Sequence, residues 1–248
     1  MKLKEGKRQM NSNFKEVLKE EAKKNNIVIS ADQLEQFDVF RDNLIDWNSK
    51  VNLTRIVEPY DFAKKHVIDS LMLLKHLNIK PDAKLIDVGT GPGIPGLIIK
   101  IYRPDMSLSL LESVGKKTNF LNWIVENMNL QDVKVINNRA EIVGHDKEHR
   151  EKYDVVVARA VSALNALSEI CLPFVRHGGI FVAMKGPSPD EEIRSSQRAL
   201  GILGGKLKTY TEYVLDGDMR RTLVIIDKIR NCPNKYPRKP GIPEKTPL

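Results

Sequence analysis

The residues best placed to bind a cofactor are glycines that lie between two apolar runs. Residues 84–101 read KLIDVGTGPGIPGLIIKI, so Gly89, Gly91 and Gly93 follow one apolar run and Pro95 precedes the next. Glycine lets the backbone turn sharply and come close to a ligand. Proline is favoured in the first turn of a helix, where its missing N–H leaves nothing unpaired. A strand, a glycine turn and a helix predict the cofactor-binding half of a doubly wound α/β domain.

Two cofactors suit this turn. The spacing from Gly91 to Gly96 matches a dinucleotide fingerprint, in which a helix N-terminus receives a pyrophosphate. Asp87 followed by alternating glycines also suits S-adenosylmethionine (AdoMet), whose amino and carboxylate groups need a nearby acid and backbone donors. Pro92 and Pro95 lack the N–H groups that a pyrophosphate would use, which favours AdoMet. A packing turn without a ligand is the third possibility.

Candidate side chains also follow the later strands, whose carboxyl ends border the same crevice. Glu112 ends the second strand, where a carboxylate can accept hydrogen bonds from both ribose hydroxyls. Residues 138–141 follow the third strand, where backbone groups can read an adenine edge and Glu141 begins a helix. Arg159 ends the fourth strand and could bind a carboxylate, a phosphate or a guanine edge. The structural alternatives are an exposed acid at the end of a strand for Glu112, a helix cap for Glu141 and an ion pair for Arg159.

The end of the fourth strand lacks the residues that two kinds of base methylation need. Methyl transfer to an exocyclic amine usually requires Asp/Asn-Pro-Pro-aromatic there, whereas residues 159–162 read Arg-Ala-Val-Ser. Methyl transfer to a pyrimidine carbon needs a cysteine nucleophile, and Cys171 lies inside the next predicted helix. Guanine N7 has a free lone pair, so it needs only in-line placement against the methyl donor.

The predicted elements place the candidates at one edge of a sheet. Strands are expected at 85–88, 107–112, 133–136, 153–158, 179–184, 206–214 and 222–228, and helices at 14–24, 34–51, 66–77, 95–103, 116–129, 163–175 and 191–203. The last two strands are joined by Asp-Gly-Asp without a helix, which indicates an antiparallel pair. We predict an α/β class I AdoMet-dependent methyltransferase fold: a seven-stranded, mostly parallel sheet with one antiparallel strand. The helical extension spans 1–80, the methyltransferase domain 81–230 and a basic, proline-rich tail 231–248.

Charge favours a polyanionic partner or an anionic membrane surface. The 248 residues carry 40 Lys and Arg against 32 Asp and Glu, a net charge of +8, although a merely basic protein remains the alternative. Six basic residues after position 227 stand against Glu244 alone. Together with its prolines, they predict an extended tail that contacts phosphate, with Tyr236 stacking on a base. A solvated tail is the alternative.

The remaining composition excludes several classes. Cys171 and Cys232 make no disulfide framework, and no apolar run has membrane-spanning length. We therefore expect a cytoplasmic protein, without membrane attachment and monomeric. His145 and His149 have helical spacing but no evident third ligand, so no metal is expected.

Seven motifs together resemble the small-subunit ribosomal RNA guanine-N7 methyltransferases, also called the glucose-inhibited division protein B family. The resemblance runs from about Gln33 to the C-terminus. It is carried by WNxxVNLT at 47–54, HVIDS at 66–70, DVGTGPGIPG at 87–96, NRAE at 138–141, ARAV at 158–161, VAMKG at 182–186 and KYPRKPG at 235–241.

The resemblance implies methylation of N7 of one guanine in the 530 loop of 16S ribosomal RNA, with AdoMet as cofactor. It implies that Gly89 and Ile94 line the cofactor site, although an aromatic residue is frequent at position 94. It also implies that Ala140 and Glu141 hold adenine through backbone groups, and that Arg159 contacts the cofactor. The predicted cofactor-binding residues are Asp87, Gly89, Gly91, Gly93, Ile94, Glu112, Ala140, Glu141 and Arg159.

RNA contact and catalysis are assigned more broadly. Asp69 is a candidate acceptor for the positive charge that methylation places on guanine, and it is a catalytic candidate with Arg159. The RNA-binding candidates are Asn52, His66, Lys185, Tyr236, Arg238 and Lys239. Two alternatives stay open: an NAD(P)-dependent small-molecule reductase and a non-catalytic RNA-binding module.

Overall fold

A single sheet of seven strands forms within the described part of the computed structural model, which comprises residues 13–159, 162–217 and 219–248. In chain order the strands are β1 (Lys84–Val88), β2 (Ser107–Glu112), β3 (Val133–Asn137), β4 (Tyr153–Ala158), β5 (Val175–Lys185), β6 (Gly205–Asp216) and β7 (Met219–Lys228). Their order across the sheet is β3-β2-β1-β4-β5-β7-β6. Of these strands, β7 runs antiparallel to both neighbours and the other pairs are parallel. The predicted sheet is confirmed.

Helices cover both faces of this sheet. They are α1 (Phe14–Lys24), α2 (Ala31–Asn48), α3 (Pro59–Phe62), a π-helical segment (Ala63–Ile68), α4 (Asp69–His76), α5 (Gly96–Tyr102), α6 (Gly115–Asn127), α7 (Ala140–Val143), α8 (Leu164–Cys171), α9 (Asp190–Leu203) and α10 (Ile242–Lys245). Sequence predictions for residues 1–12, for residues 160 and 161 of the fourth-strand motif, and for residue 218 lie outside the described residues.

Strand β4 shows why the central strands are almost wholly apolar. Val155 and Val157 point into a core shared with α1, α2, α5 and α6, whereas Val156 and Ala158 point into a second core shared with α8 and α9. Because successive side chains of a strand alternate between faces, a parallel strand covered by helices on both sides must be apolar at every position. The crevice at its carboxyl end is therefore built on a rigid, buried base.

The N-terminal helices belong to the first of these cores. Helix α2 begins with a capping box: the Ser30 hydroxyl accepts from the Gln33 N–H, and the Gln33 side chain accepts from the Ser30 N–H. Phe37 and Phe40 on α2 are fully buried. The aromatic residues of this helix therefore form a core face and not a base-stacking platform.

Several predicted element bounds differ from the structure. The helical region predicted at 66–77 begins earlier, at Pro59, because Pro59 supplies the first position of α3 and the π-helical segment continues it into α4. Strand β5 begins at Val175, four residues before its predicted start, because α8 already ends at Cys171 ahead of Pro173. Pro95 directly precedes α5 instead of being its first residue.

The C-terminal segment (residues 231–248) docks onto the domain, so the prediction of an extended strip is wrong. The Arg150 guanidinium donates to the carbonyls of Cys232, at 2.8 Å, and Tyr236, at 2.8 Å. Arg238 pairs with the fully buried carboxylate of Glu169 at 2.6 Å. Tyr236 is only 7% exposed and packs in the second core, so the predicted stacking of its ring on a base is also wrong.

Candidate active site

The glycine turn after β1 contains two kinds of glycine. Gly89, Gly91 and Gly93 have φ values of 71°, 60° and 90°, which side chains disfavour. A Cβ built on Gly89 or Gly91 would meet nothing within 4 Å, so these two residues border open space. A Cβ on Gly93 would lie 2.4 Å from Leu97 Cδ1, and one on Gly96 would lie 2.6 Å from a leucine methyl of β2. The first two glycines therefore leave room for a ligand, and the other two allow close packing.

Asp87 stabilises the glycine turn through hydrogen bonds. Its fully buried carboxylate accepts from the Thr90 hydroxyl at 2.6 Å and from the Gly96 N–H at 2.8 Å, both through Oδ2. Burial raises the pKa of Asp87 to about 6, against the lowering effect of these hydrogen bonds. Its Oδ1 atom is buried and has no hydrogen-bond partner among the described residues. A buried acceptor of this kind normally has a donor, and the amino group of AdoMet would supply one.

Glu112 lies beside the turn at the end of β2. Its carboxylate accepts from the Gly91 N–H at 3.0 Å and from the Val114 N–H at 2.9 Å, and Lys117 Nζ lies 3.8 Å away. An ionised carboxylate has about four acceptor positions, so positions remain for two ribose hydroxyls. Next to it lies a cavity of about 140 Å³, whose walls include Val88, Gly89, Leu111, Glu112, Ala140, Glu141, Ser162 and Glu244.

The loop after β3 borders the same cavity. The Glu141 side chain is buried and already bonded, because its carboxylate accepts from Arg139 at 2.8 Å and from the Gly241 N–H at 2.9 Å. Burial raises the pKa of Glu141, but these hydrogen bonds outweigh it and the net pKa is lowered. The backbone of Ala140 and Glu141 is what this loop offers to a ligand. The Ile94 side chain is 3% exposed and packs in the first core.

Arg159, at the end of β4, points toward the π-helical segment. Its guanidinium donates to the Lys65 carbonyl at 2.9 Å and to His66 Nδ1 at 3.1 Å. Because a guanidinium can only donate, Nδ1 must be the acceptor and the imidazole proton resides on Nε2, which contacts Thr54 Oγ1 at 3.0 Å. Burial, reinforced by the charge of Arg159, lowers the pKa of His66 to about 3. His66 is therefore neutral.

Asp69 lies beneath Arg159 and is 3% exposed. It accepts from the Tyr213 hydroxyl at 2.6 Å, and Arg159 Nη1 and Arg221 Nε lie 3.6 and 3.9 Å from its carboxylate. Burial raises the pKa of Asp69, while Tyr213 and the two arginines oppose this. The predicted role of Asp69 as an acceptor facing the substrate does not fit an enclosed carboxylate, which positions Arg159 instead.

Tyr213 and Arg221 complete this cluster and are not among the site residues predicted from the sequence. Both lie on the hairpin of β6 and β7. In the chain, Tyr213 is 144 residues from Asp69. The available signal was weak: in β6, Tyr213 and Leu215 are buried while Val214 is exposed, and this alternation shows only which face is inward.

The remaining RNA-binding candidates divide by exposure. Asn52 and Lys239 are exposed. Lys185 is 9% exposed and donates to the Ser162 carbonyl at 2.7 Å, and His66 is 3% exposed. The Arg238 guanidinium donates to the Glu169 carboxylate. Direct RNA contact therefore stays a prediction that suits Asn52 and Lys239 best.

Metal and thiol chemistry have little support at this site. Within residues 13–159, 162–217 and 219–248, no group of three or more His, Cys, Asp or Glu side chains could hold a metal ion. His145 Nε2 contacts the Pro237 carbonyl at 2.7 Å, and His149 Nδ1 contacts the Tyr153 hydroxyl at 2.6 Å. Burial raises the pKa of the Cys171 thiol well above its usual value, so it is no nucleophile. No helix in the described part of the chain has the length and apolarity to cross a membrane.

Solved structures share this architecture. The chain matches P. horikoshii TYW2 in complex with MeSAdo with a TM-score of 0.52 and 17% identity, covering 66% of this chain and 63% of that one. It matches M. jannaschii TYW2 in complex with AdoMet with a TM-score of 0.50 and 14% identity, covering 66% and 76%. At such identities the likeness shows the fold alone. Fold and site together define a class I AdoMet-dependent methyltransferase.

Sequence comparison identifies the family. The family model described as "GidB: rRNA small subunit methyltransferase G" matches residues 33–224. Curated relatives named "Ribosomal RNA small subunit methyltransferase G" include one from Desulforamulus reducens, 44% identical over 93% of this chain and 97% of the relative. Another from Clostridium novyi is 45% identical over 95% and 97%. The chain belongs to the GidB family of ribosomal RNA small subunit methyltransferases, which confirms the resemblance stated from its motifs.

Proposed function

We propose that this protein transfers the methyl group of AdoMet to N7 of a guanine in 16S ribosomal RNA, in the 530 loop. The observation that carries the proposal is the crevice above Gly89 and Gly91, bordered by Glu112, in a chain of this family. The substrate class follows from the family description, and the ring nitrogen follows from the chemistry of the strand ends.

AdoMet supplies an electrophilic methyl group on a sulfonium. The open faces of Gly89 and Gly91 let the backbone approach it, and Glu112 accepts from its ribose hydroxyls. The backbone at Ala140 and Glu141 reads the adenine edge. Asp87 Oδ1, which has no partner among the described residues, accepts from the amino group. Arg159 donates to the carboxylate through N–H groups that its structural contacts leave over.

The acceptor atom follows from what these residues can do. Methylation of an exocyclic amine or a pyrimidine carbon requires a base or a nucleophile. His66 is neutral but buried, with both nitrogens engaged, and Cys171 is a buried thiol. Guanine N7 requires neither, because its lone pair attacks directly and placement alone lowers the barrier. The residues described here therefore suit a ring nitrogen.

The two alternatives are less well supported. A dinucleotide reductase would need N–H groups where Pro92 and Pro95 stand, and the family match favours methyl transfer. A vestigial RNA-binding module would not need to preserve Asp87, Glu112 and open glycines around one cavity. We further propose that the enzyme acts in the cytoplasm, where ribosomal RNA is assembled into subunits, and that it acts as a monomer.

Incubation with methyl-labelled AdoMet tests the proposal. Small ribosomal subunits, their precursors and naked 16S RNA are offered separately, and N7-methylguanine is located by chemical strand cleavage. We expect label on one guanine of the 530 loop. Label on an adenine amine or a cytosine, or no label on any of the three substrates, would refute the proposal.

A matched pair of variants links the transfer to the cavity. Glu112→Gln keeps the size of the side chain and removes its charge, so we expect about tenfold weaker AdoMet binding, since charge-assisted hydrogen bonds are the stronger kind. Glu126→Gln, on α6, serves as the control. Equal AdoMet affinity of both variants in calorimetric titration would exclude Glu112 from the site.

A further inference from the structure

A second concave surface lies beside the cofactor cavity and is unusually apolar. It is a groove of about 620 Å³ between α7 and the C-terminal segment. Its floor includes Ile142 and Ile242, which are 50% and 38% exposed, together with Pro237 and Pro240. Few large apolar side chains are this exposed in the described residues, and two of them share this groove. An exposed apolar patch inside a groove commonly marks a binding surface.

The rim of the groove carries unneutralised positive charge. Lys235 and Lys239 are exposed and line it, and no carboxylate of the described residues lies within ion-pair distance of either ammonium. The other charges of the wall are paired internally: Arg238 with Glu169, and Glu141 with an arginine of its own loop. The net charge presented to a ligand is therefore that of two lysines.

The groove is held in place by buried polar contacts. Glu169, fully buried, accepts from Arg238 Nε at 2.9 Å and from its backbone N–H at 2.8 Å. His145 contacts the Pro237 carbonyl at 2.7 Å, and the Glu141 carboxylate accepts from the Gly241 N–H at 2.9 Å. A surface fixed before binding loses less conformational entropy when a ligand arrives. The groove is thus a preformed site.

We propose that this groove binds an unpaired nucleotide of the RNA substrate, beside the adenine end of the cofactor cavity. The base lies on Ile142 and Ile242, and the adjoining phosphates contact Lys235 and Lys239. An apolar floor with a basic rim suits single-stranded nucleic acid, because the face of a base buries apolar surface on the floor and each phosphate carries a negative charge toward the lysines. Glu141 forms part of both the groove and the cofactor cavity, so a nucleotide bound here lies beside the end of the cavity at which we place the adenine of AdoMet. The proposal rests on RNA methylation as the function.

Titration of a fluorescent, unpaired twelve-nucleotide RNA tests the groove. Ile242→Asp places a charge on the apolar floor, and we expect at least tenfold weaker RNA binding, because the apolar contact with the base is lost and a negative charge faces the phosphates. Val28→Asp, at an 83% exposed position outside the groove, is the matched control and should bind RNA as the parent does. Thermal unfolding midpoints of both variants establish that they fold.

The lysines are tested by salt dependence. Lys235→Ala with Lys239→Ala should reduce the slope of log K against log salt by about 1.4, because each lost phosphate contact on a single strand contributes about 0.7. Lys19→Ala with Lys23→Ala, two exposed lysines of α1, should leave the slope unchanged. Calorimetric AdoMet affinity should stay within about twofold of the parent in all variants.

The possible results separate the two proposals. Unchanged RNA affinity and slope in the groove variants would overturn the groove assignment while leaving RNA methylation intact. A parent protein that binds AdoMet but no RNA would overturn the proposed function itself. Loss of binding to anionic phospholipid vesicles in the groove variants, with RNA binding retained, would assign the groove to a membrane surface and also overturn the proposal.

Discussion

The buried, neutral state of His66 predicts a specific loss of stability in acid. Its Nδ1 accepts from Arg159, so protonation there would oppose a hydrogen bond and add a second positive charge. The pKa of His66 is lowered from 6.5 to about 3 in the folded protein. Protonation therefore favours the unfolded chain. The contribution of His66 to stability is complete above pH 6.5 and is lost as the pH falls from 6.5 toward 3.

The expected size follows from proton linkage. Between pH 7 and pH 5 the unfolded histidine becomes protonated and the folded one does not, which lowers the free energy of unfolding by about 2 kcal/mol. Asp87 acts in the opposite direction, because its folded pKa of about 6 lets the folded state take up a proton first. Its contribution over the same interval is a gain of about 1 kcal/mol. The parent protein alone would therefore not report the histidine separately, because Asp87 opposes it and burial also shifts the pKa values of Asp69, His76 and His149.

A variant isolates the histidine. His66→Gln removes the titrating group and leaves Asp87 in place, so subtraction of the two unfolding free energies cancels every other titration. Urea unfolding at pH 7, 6 and 5 gives each free energy by linear extrapolation. We expect the advantage of the parent over His66→Gln to shrink by about 2 kcal/mol between pH 7 and pH 5. Equal m values for both proteins at each pH provide the control. An advantage constant to within about 0.5 kcal/mol would refute the assigned protonation state.

Three further substitutions probe contacts that the site depends on. Tyr213→Phe removes the hydroxyl that Asp69 accepts from at 2.6 Å, so urea unfolding should show a loss of about 1–3 kcal/mol. Arg238→Ala leaves the fully buried Glu169 without its charged partner and with only the backbone N–H of residue 238 as a donor, and we expect a loss of about 3–5 kcal/mol in the same measurement. Gly96→Ala places a Cβ 2.6 Å from a leucine methyl and 3.0 Å from an Asp87 carboxylate oxygen. Overpacking of this kind costs about 1–3 kcal/mol, and calorimetry should also show weaker AdoMet binding.

Each of these has a matched control in the chain. Tyr210→Phe removes a hydroxyl from the same strand, but Tyr210 is 41% exposed and bonds an exposed aspartate. Arg194→Ala breaks an exposed ion pair with Glu191, which contributes at most about 1 kcal/mol. Gly186→Ala adds a Cβ that meets nothing within 4 Å. Equal effects of test and control in any pair would contradict the contact assigned to it.

Local patterns were enough to predict the frame of the site. β4 was predicted residue for residue, because a buried parallel strand is a nearly unbroken apolar run. The glycine turn was predicted for the same reason, because the glycines at positions 89 and 91 themselves indicate a backbone that adopts positive φ angles. Such features are encoded within a few residues, so the sequence displays them directly.

Contacts between distant residues could not be predicted in this way. Arg238 and Tyr236 were expected to face RNA, because a basic, proline-rich segment has the same composition whether it is docked or solvated. Its docking depends on Glu169, 69 residues before Arg238, and nothing in the helix containing Glu169 distinguishes a buried carboxylate from an exposed one. Asp69 and Tyr213 pose the same problem. Burial reverses the function expected of a charged side chain, and burial is a property of the whole fold.

Arg159 shows how a residue can be structural and still bind a ligand. A guanidinium has five N–H groups, and the described contacts use Nη1 toward Lys65 and Asp69 and one Nη2 hydrogen toward His66. The Nε–H and the second Nη2 hydrogen remain, on a side chain that is 25% exposed.

Arg159→Lys should therefore keep the positive charge but weaken the binding of AdoMet. An ammonium is a point charge without a planar fork, so it cannot contact the Lys65 carbonyl, His66 and a cofactor carboxylate together. We expect at least tenfold weaker AdoMet binding by calorimetry. AdoMet analogues that lack the carboxylate should bind the parent and the variant equally, because they make no contact that the substitution removes. A variant that binds AdoMet within twofold of the parent would show that charge alone suffices at this position.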